Sequence, residues 1–201
     1  MSLIGLFGGS FDPIHHGHLI VARTAAEALG LAELRFVPAR EQPLKAGRHA
    51  AAAAHRSEMT RLAIAGADGF ALETIELERE GPSYTVDTLR ELRAREPGHE
   101  FVVLLGADAA ADLHLWREPD ELLRLARVAV FARPGSARIE GPAIWRTVPV
   151  PAIEISATEV RERETGCSEI CAESSCLAPQ FLQGAIFATL TVTGAKAPAV
   201  S

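Results

Sequence analysis

Leu3-Ile4-Gly5-Leu6-Phe7-Gly8-Gly9-Ser10-Phe11-Asp12-Pro13-Ile14-His15-His16-Gly17-His18-Leu19 is the stretch that decides how this chain folds. The apolar run from Leu3 to Phe7 closes on two glycines and reads as a buried first strand. From His18 to Leu29, the apolar positions Leu19, Ala22, Ala26 and Leu29 recur at helical spacing, and Gly30 ends the helix. Glycines after a strand let the backbone approach a ligand closely, and the helix that follows offers free amides and the positive end of its dipole. His15 and His18, with Gly17 removing bulk between them, can converge on one phosphate group. A tight turn with solvated histidines accounts for the glycines or the histidine pair taken alone. The whole run from Gly8 to Leu19, in a strand–loop–helix context, favours a phosphate site.

Outward from that stretch, strands and helices alternate. Leu34 to Val37 before Pro38 is a second strand, and the alanine-rich 50–54 leads into a helix carrying Met59, Leu62, Ala63 and Ile64. Phe70 to Glu78 alternates apolar with polar and predicts a half-exposed strand. Pro82-Ser83 opens a helix with Val86, Leu89 and Leu92 on one face. Phe101 to Leu105 is the most apolar strand and ends in Gly106. Glu118-Pro119 starts another helix. Val128 to Ala132 is a further strand, with short pieces at 143–148 and 152–155. Continuous apolar strands separated by helices imply a mostly parallel sheet covered on both faces, an α/β class. Ligands of such sheets bind outside the carboxyl ends of the strands, which points to the loops 8–18, 38–48 and 106–117.

Composition sets the limits. The chain has 201 residues, 48% of them hydrophobic and 23% charged, in the ordinary range of globular domains. The net charge of −6 argues against a broad polyanion-binding surface and leaves a local anion pocket open. No apolar run is long enough for a membrane span, and Met1 to Gly5 has no basic leader. The expectation is a cytoplasmic protein with no membrane or nucleic-acid partner; a homo-oligomer stays open. Cys167, Cys171 and Cys176 cluster after a cysteine-free stretch and match neither a disulfide framework nor a zinc signature.

Two further constellations carry chemistry. In Ile155-Ser156-Ala157-Thr158-Glu159-Val160-Arg161, Ser156 and Glu159 have capping-box spacing, so Ser156 marks a helix start and Arg161 adds a charged donor one turn on. An ordinary cap with a surface arginine is the simpler account of that motif alone. In Leu105-Gly106-Ala107-Asp108-Ala109 through Trp116-Arg117, Asp108 can accept from a ribose or an adenine amino group, and Trp116 can stack on a flat ring. An acidic cap and a packing tryptophan are the plainer alternatives.

Taken together these residues resemble the nucleotidyltransferase superfamily, with its HxGH and ISxTxxR elements, and in particular the nicotinate-nucleotide adenylyltransferase family. The resemblance spans about residues 3–163. It implies a Rossmann-like fold with a small C-terminal helical part, and transfer of the adenylyl group of ATP to nicotinate mononucleotide. His15, His18 and Arg161 are its implied catalytic residues. Gly8, Gly9, Ser10, Phe11, Gly17, Gly106, Asp108, Arg133, Ser156 and Thr158 would meet ATP. Lys45, Tyr84, Thr85 and Trp116 would meet the mononucleotide, Tyr84-Thr85 through a Ser-Tyr-Thr-Val-Asp-Thr stretch. Leu44 stands where the family's lysine loop carries histidine. His55 and Arg56 match a helix whose roles are structural. No metal ligands are implied; Mg²⁺ would arrive with ATP.

The pattern stops after Arg163. Every lysine and arginine but Lys196 precedes Thr165, and every cysteine follows it. This divides the chain into an α/β domain, 1–165, and an atypical tail, 166–201, that reads as disordered, with a shifted reading frame and a genuinely divergent tail as the two origins. Two other functions fit the same motifs. One is a sister adenylyltransferase acting on nicotinamide mononucleotide or phosphopantetheine. The other is a nucleotide-binding protein whose activity the altered tail has impaired.

Overall fold

The computed structural model describes residues 1–43, 49–132, 144–151 and 155–168. Their elements run β1 (Ser2–Gly9), α1 (His16–Leu29), β2 (Glu33–Pro38), α2 (Ala53–Ala63), β3 (Phe70–Leu72), α3 (Ile75–Glu78), α4 (Thr85–Arg95), β4 (His99–Gly106), α5 (Ala107–Ala111), a 3-10 turn (Leu113–Leu115), α6 (Pro119–Leu125), β5 (Arg127–Ala132), β6 (Arg146–Pro149) and α7 (Ala157–Ser168). The six strands make one sheet in the order β3-β2-β1-β4-β5-β6, with every pair parallel. This is the doubly wound Rossmann order, and its switch point falls between β1 and β4. Crossovers leave β1 and β4 in opposite directions, so a crevice opens where Gly8-Gly9 and Gly106 end those two strands.

Both faces of the sheet are covered, and this explains why its strands read as unbroken apolar runs. One face gives Ile4, Leu6, Phe101, Val103, Leu105, Val128 and Val130 to a core closed by Ile75, Leu89, Leu92 and Leu122. The other gives Phe7, Leu34, Phe36, Val102, Leu104 and Ala129 to a core closed by Val21, Ala22, Ala25 and Ile64. Gly30 ends α1 in the left-handed conformation at φ 62°, its amide capping the last turn. Pro119 occupies the first turn of α6.

Three sequence expectations need correction. The strand proposed over Phe70–Glu78 stops at Leu72, and the chain then turns through Thr74 into the single helical turn α3. Ile75 and Glu76 both point inward there, at 0% and 7% exposure. Alternation fails because Glu76 is buried against hydrogen-bond partners that lie elsewhere in the chain. The region 106–117 is not a plain loop but α5 followed by a 3-10 turn, and α4 begins at Thr85 rather than at Pro82-Ser83. Of the short pieces, the first is β6; residues 152–154 of the second lie outside the described residues. The chain divides into two units at Ala157/Thr158, and α7 from Thr158 onward is the described part of the second. From residue 169 the atypical tail lies outside the described residues. No described helix is long and apolar enough to cross a membrane.

A buried arginine fastens the loops at the carboxyl edge. Arg56, 0% exposed in the first turns of α2, donates to the carbonyls of Ser10 (2.5 Å), Ala39 (2.7 Å), Arg40 (3.0 Å) and Ala51 (3.2 Å). Burial pulls its guanidinium below the ordinary arginine value, and the Asp12 carboxylate pulls it back. Arg56→Ala strands four carbonyls and is expected to cost about 3 kcal/mol or more of unfolding free energy. At roughly 2–4 °C per kcal/mol for a chain of this size, the melting temperature should fall by about 6–12 °C. A calorimetric loss under about 2 °C would show that these carbonyls are satisfied without it.

Candidate active site

β1 delivers Gly8 and Gly9 to the switch point, and the turn that follows is unusually constrained. A Cβ on Gly9 would sit 3.1 Å from the Phe11 ring, whereas one on Gly8 would meet nothing within 4 Å. Phe11 itself is left-handed at φ 47°, a conformation a bulky residue adopts only when its surroundings hold it there. Its ring is 2% exposed and packs at 5.7 Å from Phe7 and Phe36. The ring belongs to the core, so what Phe11 offers a ligand is backbone. The next residue completes the clamp: the Asp12 carboxylate accepts from the amides of Ala50 (2.6 Å) and Ala51 (3.1 Å).

Chain direction reverses at His15, the N-cap of α1. The His15 amide donates to Nδ1 of His18 at 3.2 Å, and the two imidazole centroids are 3.9 Å apart. An Nδ1 that accepts a hydrogen bond leaves the neutral ring's proton on Nε2, so His18 is held as an Nε2 donor. Phe11, edge-on at 5.3 Å, and Phe7 at 6.1 Å wall its ring. Gly17 is buried in the first turn of α1, and no acidic side chain there offsets the positive end of the helix dipole. Paired imidazoles, free amides and that dipole together suit a polyanion.

Beside the glycines lies a cavity of about 80 Å³, lined by Gly8, Gly9, Gln42, Glu76, Thr85 and Trp116 among others. The sheet residues Leu6, Val103 and Leu105 form its apolar floor. Trp116 is half-buried and packs on the same core as these strands. Thr85 is the first residue of α4. Tyr84, its N-cap, lies under the Arg117 guanidinium at 4.7 Å. Ser10 Oγ donates to Gln42 at 2.8 Å, joining the glycine turn to the loop after β2. That loop is joined in turn to the start of α4, because the Ser83 amide donates to the Glu41 carbonyl (2.8 Å) and the Arg40 amide to Ser83 Oγ (3.1 Å). A broader hollow of about 390 Å³ is lined by Arg40, Glu41, His49, Ala50–Ala53 and Arg56.

Glu76 is the member of this cavity that sequence reasoning missed. Its carboxyl accepts from Thr88 Oγ1 at 2.8 Å. Burial pushes it above the usual carboxylate range, with the hydroxyls of Thr88 and Ser83 and the charge of Arg79 working the other way. The residue types carried no signal, since Glu76 and Glu78 look alike in an alternating run. Ser83 and Thr88 did lie inside the stretch singled out around Tyr84-Thr85.

Four expected site residues, Gly8, Gly9, Thr85 and Trp116, thus share one cavity, Ser10 bonds to its wall, and His15 and His18 form a pair. Gly106 ends β4, its Cβ position 3.3 Å from the Phe131 ring, and Asp108 is exposed in α5. Ser156 is exposed immediately before α7. Thr158 and Arg161 belong to the second unit, where Arg161 donates to Thr158 Oγ1 at 3.2 Å. Lys45 and Arg133 lie outside the described residues.

Comparison with known proteins places this arrangement. A family model described as cytidylyltransferase-like matches residues 6–163. A probable nicotinate-nucleotide adenylyltransferase of Bacillus licheniformis is 45% identical over 163 residues, covering 81% of this chain and 86% of that protein. One of the same name from Thermus thermophilus is 47% identical over 160 residues, covering 80% and 85%. Among solved structures, Plasmodium falciparum nicotinic acid mononucleotide adenylyltransferase complexed with NaAD superposes with a TM-score of 0.66 at 22% identity, over 81% of this chain and 83% of that one, which speaks to the fold.

Two outcomes follow from the geometry. Gly8→Val adds bulk where the fold leaves space but the cavity wall is formed, so its melting temperature should stay within about 2 °C of the parent's. Its affinity for nucleotide, measured by calorimetry, should drop about tenfold or more; unchanged affinity would separate this cavity from ligand binding. Glu76 in the folded chain holds its proton to higher pH than in the unfolded chain, so its contribution to stability is complete below about pH 4.3 and is lost as pH rises through the folded value. The stability of the parent relative to Glu76→Gln should therefore decline from pH 4 upward, and a flat difference would contradict that burial effect.

Proposed function

The chain belongs to the cytidylyltransferase-like family and, within it, to the nicotinate-nucleotide adenylyltransferases, and from that premise we propose how its residues join ATP to nicotinate mononucleotide. The products are nicotinate adenine dinucleotide and pyrophosphate. A phosphate oxygen of the mononucleotide attacks the α-phosphorus of ATP; one P–O bond forms, the bond from the α-phosphorus to the bridging oxygen breaks, and pyrophosphate leaves with that electron pair. No protein nucleophile is required, so catalysis is alignment together with stabilisation of the charge that builds on the phosphates.

The observation that carries this reading is the imidazole pair, with centroids 3.9 Å apart at the start of α1, directly after a glycine turn at the sheet's switch point. His18, held as an Nε2 donor by the His15 amide, and His15 beside it supply donors to the triphosphate. The Gly8–Ser10 backbone, the amides opening α1 at Gly17, and the Phe11 backbone add neutral ones. By motif, Ser156, Thr158 and Arg161 join the triphosphate donors, Gly106, Asp108 and Arg133 the adenosine side, and Lys45 the mononucleotide's phosphate. The pyridine ring lies on Trp116 in the cavity, its carboxylate meeting the Tyr84-Thr85 backbone. The donors around the glycine turn are imidazole and amide nitrogens, which suit phosphate oxygens and not a hard cation that wants oxygen ligands. Mg²⁺ bound to ATP would supply charge neutralisation for the phosphates, with no protein cage needed to hold it.

The deciding measurement is pyrophosphate release from ATP with nicotinate mononucleotide, run beside nicotinamide mononucleotide and phosphopantetheine. Turnover with the acid should exceed both alternatives, and preference for either would reassign the substrate. In the same assay His18→Ala should reduce kcat by about 10²–10³-fold, the usual loss for one donor to a developing charge, with the melting temperature preserved. Binding of ATP without any pyrophosphate release by the parent would mark a nucleotide-binding protein instead.

A further inference from the structure

Glu76 takes no part in the chemistry above, yet it lines the cavity where the pyridine ring is placed. Its surroundings are specific. Ser83 Oγ accepts from the Arg40 amide at 3.1 Å, and its hydroxyl favours the ionised form of Glu76. Thr88 Oγ1 accepts from the Arg79 guanidinium and passes its single proton to Glu76 Oε1 at 2.8 Å. The Thr88 hydroxyl is thus loaded on its acceptor side by a donor, and its proton is directed at the carboxyl. These two residues bracket Tyr84-Thr85, with Ser83 immediately before the N-cap of α4 and Thr88 in its first turn. Thr88 Oγ1 also lies 3.3 Å from the Tyr84 carbonyl.

Packing alone does not call for an acid here. Ile75, the neighbouring residue, already anchors α3 at 0% exposure, and a buried carboxyl is costly unless its acceptors are needed. We propose that Glu76 is a positioning residue for the mononucleotide: by holding Thr88 in the first turn of α4 it sets the Tyr84-Thr85 backbone that meets the pyridine substituent. This rests on the adenylyltransferase reading. The loss of Glu76 should therefore fall on the mononucleotide and spare ATP, whose assigned donors sit on the glycine turn and α1. A methionine of similar volume keeps the packing and loses both acceptors. Glutamine keeps volume and one acceptor oxygen.

The test is steady-state kinetics of the full chain with ATP and nicotinate mononucleotide for the parent, Glu76→Met and Glu76→Gln. Glu76→Met should raise KM for the mononucleotide about tenfold, with KM for ATP within about twofold and kcat within about threefold, and Glu76→Gln should recover part of the loss. Glu76→Met with the parent's KM for the mononucleotide overturns the proposal. So does a rise in both KM values with a matching fall in kcat, which is the signature of general disruption. An inactive parent overturns the functional reading, and this proposal with it; an active parent with unselective variants overturns this proposal alone.

Discussion

One buried guanidinium sets where the loops of this site can lie. Arg56 reaches the carbonyl of Ser10 in the β1–α1 turn, those of Ala39 and Arg40 beyond β2, and that of Ala51 on its own approach. Its cation is fully desolvated, and such a group persists only when its donors are satisfied and its charge is answered. The carbonyls provide the first, and Asp12 the second. Asp12 in turn holds the amides of Ala50 and Ala51, so the glycine turn and the start of α2 are fastened from two directions. The left-handed backbone of Phe11 is tolerated within that frame, and the frame is what makes Gly8 and Gly9 a fixed edge rather than a floppy one.

From that edge the chemistry of the histidines follows. An imidazole in water samples both tautomers, but His18 receives the His15 amide on Nδ1, and the cost of choosing is met by the same turn that starts α1. The aromatic wall of Phe7 and Phe11 keeps the ring from swinging. Donors prepared in this way need little reorganisation when negative charge builds on a phosphate, which is where an enzyme lacking a nucleophile obtains its acceleration. The side chains of Leu6, Val103 and Leu105 give the neighbouring cavity the apolar lining that the polar turn lacks.

The second half of the cavity is held by a relay rather than a clamp. Hydrogen bonds run from Arg79 through Thr88 to Glu76, and the Arg40 amide holds Ser83 at the same cavity. Because Ser83 also donates its amide to Glu41, and Gln42 next to it accepts from Ser10, the glycine turn and the start of α4 are parts of one connected structure. The alternating run around Glu76 reads as a strand because alternation records only which residues are apolar. It cannot register that an acid turns inward to meet a hydroxyl from a different helix.

The amino-acid sequence by itself determined the class of fold and singled out the turn where the glycines and histidines meet. Unbroken apolar strands spaced by amphipathic helices permit little besides a parallel sheet covered on both sides, and the glycines and histidines between Gly8 and His18 interact within one turn of chain, where spacing alone dictates geometry. Tertiary structure decided the rest: the core-facing ring of Phe11 and the burial of Arg56 and Glu76. The two burials depend on partners remote along the chain, Ser10 for Arg56 and Thr88 for Glu76, and whether a polar group can leave water is settled only when such partners are in place.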